Sequence, residues 1–315
     1  VGLTAAALVG VLVLANAPGV WNGRYYSPYL ERDEQVPGYW RAALRDLNAR
    51  GNATRVLALP GADFAAYRWG MTVDPIEPGL MTRPFVGREL VPWGSAASTN
   101  LLNALDSRVQ DRLIDPDAIA PVARLMGAGD VLLRGDLQTD RFNLVSAEEA
   151  WRLLTSPSTA AGLTEPRRYG TRIPGTLRYP PLPDPARRVQ PGETAAPPVA
   201  TFGVIDPQPI LRAKDATDPV VVAGDGDGLV DLSASGLLDP RRAILYSAAF
   251  AGDRAALRTA TTPGATLVIT DSNRRRGLRW SGMRANTGYT EQAGEQPLRT
   301  DLLDQRLDPF PTATD

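Results

Sequence analysis

V-V-V-A-G-D-G-D-G-L-V-D-L, Val220 to Leu232, is the stretch whose reading decides the fold. Val220 to Ala223 reads as a strand. The glycine–aspartate run is the tight turn that leaves it, and Leu229 to Leu237 follows as a short helix around Gly236. Further on, Ala243 to Tyr246 reads as a strand, Asp253 to Ala260 as a helix and Ala265 to Thr270 as a strand. Parallel neighbours need a crossover of a dozen or so residues, so strands separated by helices at this spacing argue for a doubly wound, mostly parallel sheet. The turn itself fits no ligand pattern well. A dinucleotide fingerprint needs G-x-G-x-x-G, and here the spacing is G-x-G-x-G. A calcium loop on Asp225, Asp227 and Asp231 would want a ligand where Leu229 stands and a glycine where Val230 stands.

Upstream of this unit the chain changes character. From Pro166 to Ala200, prolines 174, 180, 181, 183, 185, 191, 197 and 198 prevent regular structure, which reads as a linker. Before it, helix and strand alternate again. Pro37 stands where a first helical position would be, ahead of Trp40, Leu44 and Leu47 at helical spacing, with Gly51 as the stop. Arg55 to Leu59 reads as a buried strand ended by Pro60-Gly61. Ala97 to Leu113 reads as an amphipathic helix with Leu101, Leu105, Val109 and Leu113 on one stripe. Asp115-Pro116 opens a helix carrying Ile119, Val122 and Met126, closed by Gly127. Asp130 to Arg134 is a second strand, and Ser146 with Glu149 forms a capping box ahead of Trp151, Leu153 and Leu154. A small α/β domain is expected here.

Val1 to Gly23 carries no charge, and Val1 to Ala15 is almost wholly apolar. A helix of that length spans about 22 Å, short of the roughly 30 Å hydrocarbon core of a bilayer. Two readings fit. One is the end of a transmembrane helix, with Trp21, Tyr25 and Tyr26 at the headgroup level. The other is a secretory apolar region followed by the small-residue site Ala15-Asn16-Ala17. Both place the remainder outside the cytoplasm.

The composition of the 315 residues bounds the chemistry. A net charge of −1 gives no general attraction to nucleic acid, and 43% apolar residues suffice for real cores. With no cysteine and no histidine, thiol nucleophiles, thiolate or imidazole metal sites and Ser-His-Asp catalysis are all excluded. Chemistry would fall to carboxylates, Arg, Tyr, Ser/Thr or Lys214, the single lysine.

Functional residue types are densest between Phe64 and Ser95. Pro75, Pro78, Pro84 and Pro92 forbid a long helix there, so a structured loop of about 30 residues is expected, and long ordered loops are frequently functional. Tyr67, Trp69 and Trp93 offer faces that suit sugar rings, and Arg68, Arg83 and Arg88 offer forks that suit phosphates. Asp74 and Glu77 form a possible acid–base couple, although a spacing of three in a proline-flanked loop does not fix their distance. The plain alternative is that the aromatics plug the domain against a neighbour. Asp271-Ser272-Asn273 lies at the carboxyl end of an expected strand, where open α/β sheets place ligands, and Arg274, Arg275, Arg276, Arg279 and Trp280 follow. These residues suit either an anion patch or a solvated edge.

Several strings together resemble a known family: R-V-L-A-L-P-G at Arg55 to Gly61, then Y-R-W-G, R-P-F, V-P-W-G-S and L-L-N-A-L-D at Leu101 to Asp106. Later come G-D-G-D-G-L-V-D-L, V-I-T-D-S-N-R-R-R at Val268 to Arg276, and R-L-D-P-F-P. The chain is similar to the extracytoplasmic region of actinobacterial alpha-(1→3)-arabinofuranosyltransferases, over nearly its whole length. The resemblance implies a GT-C membrane glycosyltransferase of the plasma membrane. Such an enzyme takes arabinofuranose from decaprenyl-phosphate-arabinose and adds it to the arabinan of arabinogalactan and lipoarabinomannan. In such enzymes the catalytic carboxylate sits in an early loop between membrane helices absent from this chain, so no catalytic residue is carried over.

The expectation is therefore an α/β protein with two small α/β domains, the second a doubly wound, mostly parallel sheet, after the end of a transmembrane helix. The boundaries expected are 1–20 for the membrane helix end, 21–155 for the first domain and 156–200 for the proline-rich linker. The second domain takes 201–300, and 301–315 is a truncated tail with no closing element. The piece is expected to be non-catalytic and to position glycan through Tyr67, Arg68, Trp69, Asp74, Arg83, Arg88 and Trp93. Its expected partners are the arabinan acceptor, the membrane and, through the missing part, the lipid-linked donor; nucleic acid is not among them. No cofactor is expected in the piece, with a divalent metal left open for the parent. A secreted or membrane-tethered glycan-binding scaffold is the rival from another class, and a soluble hydrolase built on Asp74 or Glu77 a third.

Overall fold

The structure is a computed structural model describing residues 2–15, 35–89, 94–139, 141–142, 144–157, 162–171, 196–239, 242–250, 252–261, 264–270, 275–277, 290–291 and 309–310. Helix α1 (Gly2–Ala15) is uncharged. Among the described residues no helix is long and apolar enough to cross a membrane. Trp21, Tyr25, Tyr26 and the Asn16-Ala17 half of the small-residue site lie outside the described residues.

Helix α2 (Gly38–Asn48) starts one residue later than expected, with Pro37 as its N-cap. It buries Trp40, Ala43, Leu44 and Leu47 along one stripe. Gly51, at φ 78°, turns the chain out of it. The first sheet then assembles from β1 (Arg55–Leu59), β4 (Phe85–Val86) and β5 (Ala128–Arg134), all parallel, and β6 (Arg167–Tyr169) and β7 (Val199–Gly203), which are antiparallel additions. The strand order is β4-β1-β5-β7-β6. Side chains alternate across it as strand geometry requires. Val56, Leu132 and Val199 face α2, whereas Leu57, Leu59, Val131, Leu133, Ala200 and Phe202 face the opposite layer.

That layer holds α4 (Ala96–Gln110), α5 (Ile119–Leu125) and α6 (Ala147–Leu154). Ser146 and Glu149 close the expected capping box on α6. Leu101, Leu105 and Val109 are buried as expected, but Leu113 is 74% exposed. The helix ends at Gln110, and Arg112 at φ 61° throws the next residue outward.

The second sheet is the expected parallel one. β8 (Asp215–Ala223) pairs with β9 (Arg242–Tyr246) on one side and β10 (Thr266–Ile269) on the other, giving the order β10-β8-β9. The crossover helices are α7 (Gly226–Ala234) and α8 (Arg254–Ala260). The glycine–aspartate run is a helix start: Asp225 caps α7 by accepting from the Asp227 and Gly228 amides. Gly226 lets α7 approach α4, since a Cβ there would stand 2.6 Å from Leu101 Cα. Its amide donates to Asn100 Oδ1 (2.5 Å). Arg108 on α4 pairs with Asp227 and Asp231, which accounts for two of the three carboxylates of the calcium reading.

Two features bear on the expected boundaries. Val199–Gly203, at the far end of the proline-rich stretch, completes the first sheet rather than opening the second. Val220, Val222, Leu229 and Val230 share one apolar core with Leu57, Leu105 and Val131, so the α4–α5 layer serves both sheets. In the expected tail, β13 (Pro309–Phe310) pairs with β11 (Arg275–Gly277), which also pairs with β12 (Thr290–Glu291). The other residues of 301–315 lie outside the described residues. Asp271 to Arg274, Arg279 and Trp280 lie outside the described residues.

Candidate functional site

The Phe64 to Ser95 segment has more regular structure than a loop. β2 (Ala65–Tyr67) and β3 (Gly70–Val73) form a hairpin, α3 (Glu77–Leu80) follows, and β4 joins the first sheet. What decides the placement of its aromatics is a residue from elsewhere. Asp136, in the turn after β5, is fully buried. Its Oδ2 accepts from Trp69 Nε1, Trp40 Nε1 and Tyr39 OH, each at 2.8 Å. Its backbone carbonyl accepts the Arg68 amide (2.8 Å), and its amide donates to Pro198 O. One carboxyl thus ties together the hairpin, α2 and the strand turn. Burial raises its pKa to about 7, against the lowering effect of the Trp40, Tyr39 and Trp69 donors.

Tyr67 and Trp69 stack on each other at 4.8 Å, and Trp40 meets Tyr67 edge-on at 5.5 Å. Both segment rings are buried, Tyr67 completely and Trp69 to 6% exposure, so their faces are occupied by one another. The Tyr67 hydroxyl lies 3.5 Å from Glu77 Oε2. Its pKa is raised by burial first and by the Glu77 charge second.

The two interior arginines are likewise spent within the chain. Arg83 pairs with Asp130 (2.5 Å) and donates to Thr54 O (3.0 Å). Arg88 pairs with Asp106 and Asp63, both at 2.5 Å. Burial works against the Arg88 cation, and its two aspartates more than offset that and hold its pKa above the ordinary value. Gly61 makes this possible: a Cβ there would meet Asp106 Oδ2 at 2.6 Å and Arg88 Cβ at 2.7 Å.

Of the seven residues expected to touch glycan, Tyr67, Trp69, Arg83 and Arg88 therefore sit in the interior and hold the fold. Arg68 is half-buried and Asp74 exposed, while Trp93 lies outside the described residues. Val73, just before Asp74, has φ 67°, a costly setting for a β-branched residue. Thr72 Oγ1 spans this kink, donating its one proton to Asp74 O (2.5 Å) with Ala65 O also within reach at 3.2 Å. The Asp74–Glu77 couple is split by access: Glu77 is fully buried beside Arg134 (3.7 Å), and Asp74 faces solvent.

Four residues that sequence reading did not single out complete the picture. Glu89 is half-buried, and its pKa is raised by burial, with Glu77 and Asp74 adding to the rise and Arg134 opposing it. The Phe64–Phe142 ring pair, centroids 6.0 Å apart, keeps solvent contact, with the Arg141 guanidinium 5.6 Å from the Phe142 centroid. Among the described residues no group of acids is placed to hold a metal ion.

The family model "Alpha-(1->3)-arabinofuranosyltransferase, N-terminal GT-C domain" matches residues 2–302. The chain belongs to this arabinofuranosyltransferase family. Solved structures share its fold. A cryo-electron microscopy structure of arabinofuranosyltransferase AftD from mycobacteria superposes with TM-score 0.62 at 20% identity, over 89% of this chain and 20% of that one. A mutant form of the same protein gives TM-score 0.65 at 20% identity, over 98% and 23%. The chain thus spans about a fifth of the length of these solved family structures. No curated protein matches it significantly.

Proposed function

We propose that this chain is a glycan-positioning part of a membrane-bound arabinofuranosyltransferase. The parent enzyme would move arabinofuranose from decaprenyl-phosphate-arabinose onto arabinan, as a GT-C pentosyltransferase with this region on the extracytoplasmic side of the plasma membrane. The observation that carries the reading is the family match across residues 2–302. The interior of the aromatic segment supports the non-catalytic part of it. Asp136 and Glu77 are both fully buried, so neither can meet a sugar hydroxyl without the segment opening. Glycan contact would fall on the outer side of the same hairpin, on Arg68, Asp74 and the Phe64–Phe142 rings, while Tyr67, Trp69, Arg83 and Arg88 hold that surface in place.

Titration of the full chain with arabinan oligosaccharides tests this. Phe64→Ala and Arg68→Ala are expected to weaken binding about tenfold, roughly the loss of one stacking or charged contact, with the unfolding midpoint nearly unchanged. Equal affinity in parent and both variants would remove the hairpin surface from the glycan path. Turnover of decaprenyl-phosphate-arabinose by the chain alone would overturn the non-catalytic assignment.

A further inference from the structure

A cavity of about 400 Å³ lies where the α4–α5 layer meets the second sheet. Its floor is apolar, from Leu101, Leu229 and Ile244. Its wall carries four cations from three parts of the chain: Arg124 on α5, Arg212 and Lys214 on the connection from β7 to β8, and Arg242 on β9. These groups are held mostly by neutral acceptors. Arg124 Nε donates to Ile205 O (2.9 Å), and Arg212 donates to Leu125 O (2.6 Å) and Pro209 O (2.9 Å). Lys214 Nζ reaches the amide oxygen of Gln208 (3.3 Å). Among the described residues, the one ion pair made by the four is Arg242 with Asp218 (3.3 Å).

This is an unbalanced field. A cation fixed by carbonyl oxygens keeps its charge, and neighbours of the same sign raise the cost of each. The effect is legible in the groups themselves. Lys214 is lowered from its usual pKa by burial and then by Arg212, with Asp239 opposing, and Arg212 is lowered by burial and then by Arg55. A polyanion seated between the guanidinium forks would relieve both, and forks matched to planar oxygen pairs favour phosphate over a diffuse anion. The apolar floor leaves room for the body that carries it.

We propose that this cavity binds a phosphate ester, with the phosphate held by Arg124, Arg212 and Lys214 and the ester body on the Leu101–Leu229–Ile244 floor. The cavity carries this independently of the glycan surface on the hairpin, which lies in the other layer of the molecule. Two sources share the chemistry: a soluble sugar phosphate and a phospholipid headgroup.

Lys214 is the sole lysine, so reductive ¹³C-methylation of the full chain gives one side-chain reporter beside the terminal amine. One arm adds inorganic phosphate and then glucose 1-phosphate. The other adds phosphatidylglycerol vesicles, with phosphatidylcholine vesicles as the uncharged control. The expected result is a saturable shift of the Lys214 methyl signal in at least one arm, with its titration midpoint raised on binding. Saturation by the sugar phosphate assigns a soluble ligand, and saturation by phosphatidylglycerol alone assigns a headgroup. Arg212→Gln should weaken the response about tenfold, and Arg258→Gln, on the exposed side of α8, should leave it unchanged. No saturable shift in either arm, or equal affinity in the Arg212→Gln and parent proteins, overturns the proposal.

Discussion

Two sets of arginines, in the hairpin layer and in the cavity between the sheets, are alike in sequence and opposite in circumstance. Arg83 and Arg88 are nearly inaccessible, and each is met by aspartates from other elements: Asp130 for one, Asp106 and Asp63 for the other. Arg124 and Arg212 keep solvent contact and are fastened to backbone carbonyls. Around the first set charge is cancelled within the chain, whereas around the second it is left over. A guanidinium beside prolines and tryptophans invites a binding interpretation, but it is the origin of its carboxylate partners that separates a structural pair from a recognition group.

The sharpest way to break this contrast is to unpair the closed set. Arg88→Ala leaves Asp106 and Asp63 facing each other, Asp106 almost fully buried, and is expected to cost about 3–5 kcal/mol in chemical denaturation. A loss below about 1 kcal/mol, the range of exposed pairs, would mean the interior arginines are not structural. Next in size is the Asp136 cage. Its carboxyl titrates at about 7 in the fold against 3.8 ordinarily. Between those values the unfolded chain binds fewer protons, so this group's contribution lowers stability as pH rises from about 4 to about 7 and is flat above. The loss is on the order of 4 kcal/mol. Asp136→Asn should flatten that slope, and an unchanged pH profile of the denaturation midpoint would refute the assignment.

Gly226→Ala tests the seam between the two layers. Its new methyl would stand 2.6 Å from the backbone of α4, which cannot yield as a side-chain tip can. A destabilisation of about 1–3 kcal/mol is expected, read by thermal unfolding. Smallest of all should be Lys214→Gln. With only Gln208 as its neutral partner and Arg212 repelling it, its removal should shift stability by no more than about 0.5 kcal/mol, in the direction of gain if either. A large loss would place Lys214 with the closed set.

Local codes were readable in advance where neighbours in sequence decide the outcome. Trp40, Leu44 and Leu47 fall on one buried stripe, Ser146 and Glu149 cap their helix, and Asp225 ends a strand and starts a helix. The alternation of strand and helix after Val199 likewise foretold the parallel pairing of β8 with β9 and β10. Sequence neighbours are silent where the deciding partner is distant. Nothing near Trp69 announces that its indole is bonded to a carboxyl 67 residues on, and nothing near Arg83 names Asp130. The same holds for Val199–Gly203, whose prolines upstream suggest separation while its side chains alternate into the first sheet. Leu113 failed for a local reason, a left-handed residue one place earlier that periodicity does not register.

The return of Val199–Gly203 to the middle of the first sheet bears on how the molecule comes apart. Among the described residues, β5 obtains its second neighbour, and β6 its one ladder, from chain on the far side of the proline-rich stretch. A protease cut anywhere between residues 171 and 196 would therefore yield two peptides that stay clasped, as in strand complementation, and part only in denaturant. Expression of the portion before the cut by itself would leave the edge of β5 bare, a template for aggregation rather than a free-standing domain.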